Sequence, residues 1–351
     1  MSFDPHNVDL DTADPTDIVC YINSEGNEYN GQLGARVSAI FVIMIVSSAA
    51  TFFPVLAQRA PRLRIPIYVY LFAKYFGAGV IIATAFIHLL DPAYGEIGPN
   101  TCVGMTGHWA DYSWCPAIVL ASLMGVFLMD FGAERWVELK YGVCRADPEP
   151  MMSTGGEVRR VDSRVSARHA DDKQVKEVES QTSELAIERS VKQQLAALLI
   201  LEFGVIFHSV IIGLNLGVAG DEFATLYPVL VFHQSFEGLG IGARMSSIPF
   251  KKGSWLPWFL CSAYGLTTPI SIAIGLGLRT TYNPGSFTAN VVSGVLDSIS
   301  AGILVYTGLV ELLARDFLFD PHRTQDNKRL TFMVVTMILG AGIMALLGKW
   351  A

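Results

Sequence analysis

Eight apolar segments, each close to the length of a bilayer-spanning helix, dominate the chain: roughly 35–57, 67–90, 116–138, 194–218, 226–246, 257–278, 288–313 and 330–349. A helix of about 20 residues rises far enough to cross the ~30 Å hydrocarbon layer. A backbone exposed to lipid must satisfy its own hydrogen bonds, which leaves helices or closed barrels, and the alternation of barrel strands is absent. The expected fold class is an all-α polytopic membrane protein with eight transmembrane helices, and the lipid bilayer is its implied partner. Composition agrees, with 51% hydrophobic and 16% charged residues against about a quarter charged in soluble domains. No basic face interleaved with aromatics occurs, so nucleic acid is not expected as a partner.

The segments divide the chain into an acidic extracellular tail (1–34), spans one to three (35–140), a flexible cytosolic linker (141–193), spans four and five (194–246) and spans six to eight (247–351). Lys and Arg fix the orientation. Linker 58–66 carries Arg59, Arg62 and Arg64, and linker 139–193 carries ten basic residues. Linker 247–256 has Lys251 and Lys252, and linker 314–329 has Arg315, Arg323, Lys328 and Arg329. The alternate linkers 91–115 and 219–225 have none, and 279–287 has only Arg279. All basic linkers then share one side, the cytosol, and both termini lie outside. No basic region followed by an apolar core opens the chain, so no cleaved signal peptide is expected. From about residue 171 the linker reads as a solvated helix running into span four.

This orientation puts Cys20, Cys102 and Cys115 on the oxidising side. A Cys102–Cys115 disulfide is one reading and unpaired thiols are the other. No CxxC occurs, so a thiolate metal site is not supported.

Ionisable side chains at bilayer depth are costly and mark function. Span four holds His208 near its middle, and span five holds His233 and Glu237 four residues apart on one helical face. The connection between these spans is too short for anything but antiparallel neighbours. Counted from the outer ends, His208, His233 and Glu237 lie ~10–16 Å deep. Imidazole with carboxylate suits a borderline divalent ion such as Zn²⁺, Fe²⁺ or Mn²⁺. The bland alternative is a hydrogen-bonded histidine with a salt-bridged glutamate.

Other polar residues follow the same faces. Asn215 lies two turns beyond His208 towards the outside. Span seven places Asp297 near mid-depth and Glu311 near the inner mouth, as a stripe along a path. Span two ends on His88 and Asp91, read either as metal capture at the entrance or as an interfacial pair. Lys74 is expected to snorkel to the inner interface. Glu202 lies well off the His208 face. Gly238, Gly240 and Gly242 form a small-residue ridge for close helix packing, not a nucleotide fingerprint.

The stretches FHSVIIGLNLG and FHQSFEGLGIGARM, with GVIIATAFIHLLDPA and DSISAGILVYTGLVELLARDF, resemble the Zrt/Irt-like (ZIP) divalent-metal transporters, and the outer NEYNGQLGARVSAIFVI resembles the fungal zinc-uptake branch. That resemblance implies an inverted 3+2+3 arrangement, with His208, His233 and Glu237 as the central transport site and Glu311 receiving the ion on its way out. The positions after the two histidines, which serve a second metal in many members, are Ser209 and Gln234 here, so one central ion is expected. It further implies uptake into the cytosol, most simply across the plasma membrane, with zinc as the transported ion and iron or manganese as alternatives. No prosthetic group and no catalysis are expected, and a homodimer is left open. The rivals are an intramembrane zinc-dependent hydrolase, which has no HExxH motif here, and a metal sensor without flux.

Overall fold

The computed structural model describes residues 8–9, 12–23, 29–59, 66–141, 172–251, 253–319 and 323–350. Most of the linker, with Cys144 and His169, lies outside them. Among the described residues the regular structure is helical, without strands. Seven helices are long and apolar enough to cross a membrane: Leu33–Arg59, Ile67–Ile97, Trp114–Trp136, Gln194–Val218, Leu256–Gly277, Phe287–Phe319 and Asn327–Leu347. These are spans one to four and six to eight. Span five, Phe223–Ser247, is 25 residues long, but its polar side chains keep it less apolar than the others. Span four is the end of one helix, Asp172–Val218, as expected of the segment after 171.

Two compact units divide the chain. Leu128–Ala196 is one, and its described residues are the last turns of Trp114–Tyr141 and the first turns of Asp172–Val218. The other, Met1–Phe127 with Ala197–Ala351, carries all that follows.

Spans two and seven outrun their apolar segments, and each contains a π-helical stretch, Thr84–Leu90 and Thr307–Phe319. Such stretches are rare and concentrate at functional sites. In span two the cause is local. Pro92 has no N–H to give the His88 carbonyl, and the Asp91 N–H bonds the Phe86 carbonyl instead. The helix passes the proline and ends at Ile97 rather than at 90.

Packing fixes the bundle. Span one lies on spans five and six, and span two on spans five and eight. Backbone approaches at glycine bring span three to span seven at Gly302 and span four to span six at Gly213, and the side chains of Ile303 and Leu304 bring span seven against span four at Gly204. Exchange one with six, two with seven, three with eight and four with five, and these contacts map onto one another. An inverted 3+2+3 arrangement has this property. Large apolar side chains such as Ile45, Leu120 and Ile338 remain exposed, as lipid contact requires.

The end of the bundle holding residues 30, 96, 219 and 348 is called outer, after the orientation expected from the basic linkers. Arg36 is buried there at 0% exposure. Its guanidinium donates to the carbonyls of Leu216, Gly217 and Ala219, and to Gly31 and Asn30. A cation on the last carbonyls of span four satisfies groups the helix cannot bond itself and complements its dipole. This clamp sets the height of span four, and of His208 with it. Nearby, Cys20 is disulfide-bonded to Cys102. Cys115 is a free thiol buried against Ser298, which corrects the Cys102–Cys115 pairing.

Candidate metal centre

Five potential ligands meet in the middle of the bundle: His88 from span two, His208 from span four, His233 and Glu237 from span five, and Asp297 from span seven. None is more than 6% exposed. The His233 ring stands 4.7 Å from that of His88 and 5.5 Å from that of His208, centroid to centroid. His208 Nδ1 lies 3.6 Å from Asp297 Oδ1, and His233 Nε2 lies 3.9 Å from Glu237 Oε2.

Those two gaps are too long for hydrogen bonds. They are close to the ~3.4 Å edge between neighbouring donors of a tetrahedral ion bound at 2.0–2.1 Å. Among the described residues, both ring nitrogens of His208, His233 Nε2, Glu237 Oε1 and Asp297 Oδ1 have no hydrogen-bond partner. Buried polar atoms are rarely left so, and an ion held by one nitrogen of His208, with His233 and a carboxylate oxygen, would satisfy several of them. Among the described residues no three such donors already close on one metal-sized point. The donors line a space and do not form a finished cage.

Their fixing differs. His88 Nε2 lies 3.1 Å from the Met344 carbonyl, which can only accept, so that nitrogen carries the proton and orients the ring. Tyr264 of span six lies with its hydroxyl 2.8 Å from Gln234 Oε1, 2.9 Å from the Gln234 carbonyl and 3.3 Å from Glu237 Oε2. Its one proton is within reach of all three acceptors, which sets Gln234 and Glu237 against span six. Ser209 is fully buried, and its hydroxyl has no partner.

A cavity of about 310 Å³ runs from the donors to the outer end, lined by His88, Asp91, Glu96, His208, Asn215, His233 and Asp297 among others. Asn215 accepts a hydrogen bond from Tyr282 at 3.0 Å on its wall. Towards the inner end the space shrinks to about 10 Å³ beside Gly240 and Arg244, the lower limit for a single water. The larger space adjoins the donors on the outer side.

Two sequence expectations change, and Glu311 gains partners that the sequence did not show. His88 belongs to the centre and not to the entrance, because span two continues to Ile97 and leaves it about two and a half turns deep. Glu311 is held by Arg244 and Arg315 at 3.2 and 2.5 Å. Lys74 pairs with Asp316 at 2.6 Å and does not simply snorkel. Glu96 escaped the sequence reading because Asp91-Pro92 looked like a helix end. It lines the outer cavity with a buried, unpartnered carboxylate oxygen. Tyr264 escaped as one aromatic among many in an apolar helix. Glu202 is buried with an unpartnered oxygen but does not line the cavity. The glycine ridge packs as expected: a Cβ on Gly77 would stand 2.1 Å from Gly240 Cα.

Residues 33–348 match the family described as ZIP zinc transporter. The chain is 56% identical to zinc-regulated transporter 1 of Saccharomyces cerevisiae, over 99% of this chain and 97% of that protein. It is 40% identical to zinc-regulated transporter 1 of Schizosaccharomyces pombe, over 93% and 88% of the two chains. Zinc transporter 9 of Oryza sativa is 31% identical over 97% and 95%.

Proposed function

The chain belongs to the ZIP zinc transporter family and is a membrane transporter rather than an enzyme; from that premise we propose that it takes zinc up from outside into the cytosol, with His88, His208, His233, Glu237 and Asp297 as its transient ligands. The observation that carries this reading is the set of unpartnered ring nitrogens and carboxylate oxygens at the centre, with His208 Nδ1 and Asp297 Oδ1 near ligand-edge spacing and His88, His208, His233 and Asp297 lining one cavity. The ligands replace hydration water while the ion crosses the low-dielectric core. An unfinished cage binds well enough to dehydrate the ion and weakly enough to release it. Alternating access then closes the outer cavity and opens the inner side around the same point.

Two independent features support the direction of uptake. The basic linkers share one side, and the Cys20–Cys102 disulfide belongs to an oxidising compartment. Both support an extracellular opening of the cavity, and the plasma membrane is the membrane that this uptake reading implies. Gln234 is engaged by Tyr264, and Ser209 offers only a neutral hydroxyl, which favours one central ion. Zinc is favoured over iron and manganese by the relatives' names. Asp91, Glu96 and Asn215 line the approach, where their oxygens shed water from the ion in steps.

The test is radiolabelled zinc uptake into sealed proteoliposomes, with iron and manganese as competitors. Saturable uptake lost in His233→Ala and Glu237→Ala establishes the path. Zinc binding without entry, in folded and correctly inserted protein, would move the sensor to the front.

A further inference from the structure

The inner half of the bundle contains a cation where a cation has to pass. Arg244 lies seven residues after Glu237, two helical turns towards the inner end and within about 20° of the same face. Its side chain is 12% exposed, and Nη2 reaches Glu311 Oε2 at 3.2 Å. The Nε of Arg244 has no hydrogen-bond partner, so the pair is a single contact and not the bidentate fork that makes Arg–carboxylate pairs strong. Arg315 is the tighter partner of the same oxygen at 2.5 Å, and it stays 45% exposed. Lys74 and Asp316 join spans two and seven alongside. Lys74, Arg244 and Asp316 line the ~10 Å³ remnant of space below the centre. Among the described residues named here, two carboxylates face three cations, and Arg244 is the more loosely held of the two on Glu311.

From this arrangement, and resting on the transport reading above, we infer that Arg244 is a tethered competitor of the metal ion for Glu311. With the centre open outward, the guanidinium occupies the carboxylate and its charge repels an ion on the Glu237 face. When the inner side opens, span five shifts against span seven, the single contact breaks, and the ion takes the place of Arg244 on Glu311. The return of Arg244, with Arg315 already present, makes the carboxylate a poor metal site again. The ion then leaves to the cytosol and does not step back. Arg244 is a positioning residue of release, not a ligand.

The experiment measures equilibrium binding of radiolabelled zinc to purified protein and uptake into proteoliposomes, for wild type, Arg244→Ala, Arg244→Lys and Arg244→Ala/Glu311→Gln. Arg244→Ala is expected to bind one more zinc per chain than wild type while its uptake falls about tenfold or more, because the ion stays on Glu311. The double variant is expected to lose the additional zinc, and Arg244→Lys to keep wild-type stoichiometry. A gain in bound metal is not a symptom of misfolding. If Arg244→Ala does not fold, Arg244→Gln keeps most of the volume and reads the same gain. Wild-type uptake with an Arg244→Ala variant that matches it in stoichiometry and rate overturns this inference alone, as does additional zinc that persists in the double variant. Absence of saturable uptake by wild type overturns the transport reading and this inference with it.

Discussion

His208 Nδ1 on span four faces Asp297 Oδ1 on span seven across 3.6 Å, both side chains buried and neither atom hydrogen-bonded. An ion between them would bind two elements that otherwise meet through apolar contacts and the close approach at Gly204. Asp297→Asn keeps shape and one oxygen but removes the charge. The KM for zinc uptake is expected to rise about tenfold or more, equivalent to ~1.4 kcal/mol, with unchanged insertion and thermal midpoint. An unaltered KM would make Asp297 a structural residue.

Imidazole ligates only through a neutral ring nitrogen, so protonation and zinc compete for the same lone pair. An ordinary imidazole titrates near pH 6.5. Below its pKa each ligating histidine weakens apparent zinc affinity by up to about tenfold per pH unit, since one proton must leave for one bond to form. The KM of uptake is therefore expected to climb once the outer pH falls far enough to protonate the ligating rings. Zinc added to weakly buffered protein should release protons below neutrality. A KM that stays flat down to the pH at which the protein unfolds would count against imidazole ligands.

The eight spans were legible because hydropathy over about 20 residues is set by the bilayer and not by tertiary detail. The meeting of His208, His233 and Glu237 was legible for a related reason, because a short connection fixes two antiparallel helices and depth follows from counting. The far end of span two was not. Asp91-Pro92 carries every local sign of a helix end, and only the π-helical stretch before it lets the helix continue, which moves His88 to the centre and Glu96 to the mouth. The partners of Glu311 were also hidden. Arg315 is visible at four residues' distance, but Arg244 arrives from another helix. Cysteine connectivity is not contained in spacing, and Cys20 had no local mark as the partner of Cys102. Arg36 carried no mark of its role in the sequence, because its acceptors are backbone carbonyls about 180 residues away.

Arg36 gives a stability prediction. Arg36→Met preserves much of the volume but leaves the carbonyls of Leu216, Gly217 and Ala219 without their donor. Unsatisfied buried acceptors cost about 1–3 kcal/mol each, less where water can enter. A loss of about 2–4 kcal/mol is expected, seen as a thermal midpoint lowered by several degrees in detergent. Arg36→Lys keeps the charge but not the planar fork and should fall between. A Met variant that melts with wild type would show that water replaces the clamp without loss.

Gly240 tests how closely the metal-bearing helix must approach its neighbour. It lies one turn below Glu237, and a Cβ there would stand 2.8 Å from Gly77 Cα and 3.0 Å from the Gly77 oxygen. Both obstacles are backbone, so neither can rotate away, and spans two and five must separate. Overpacking of this kind costs about 1–3 kcal/mol. It also tilts the face that carries His233 and Glu237 away from His88. Gly240→Ala is expected to lower the thermal midpoint and to reduce zinc uptake several-fold in inserted protein. Gly342→Ala on span eight is the control, since a Cβ there meets nothing within 4 Å and should change neither quantity. Equal behaviour of the two variants would mean that the helix contact gives way freely, and that the ligand geometry does not depend on it.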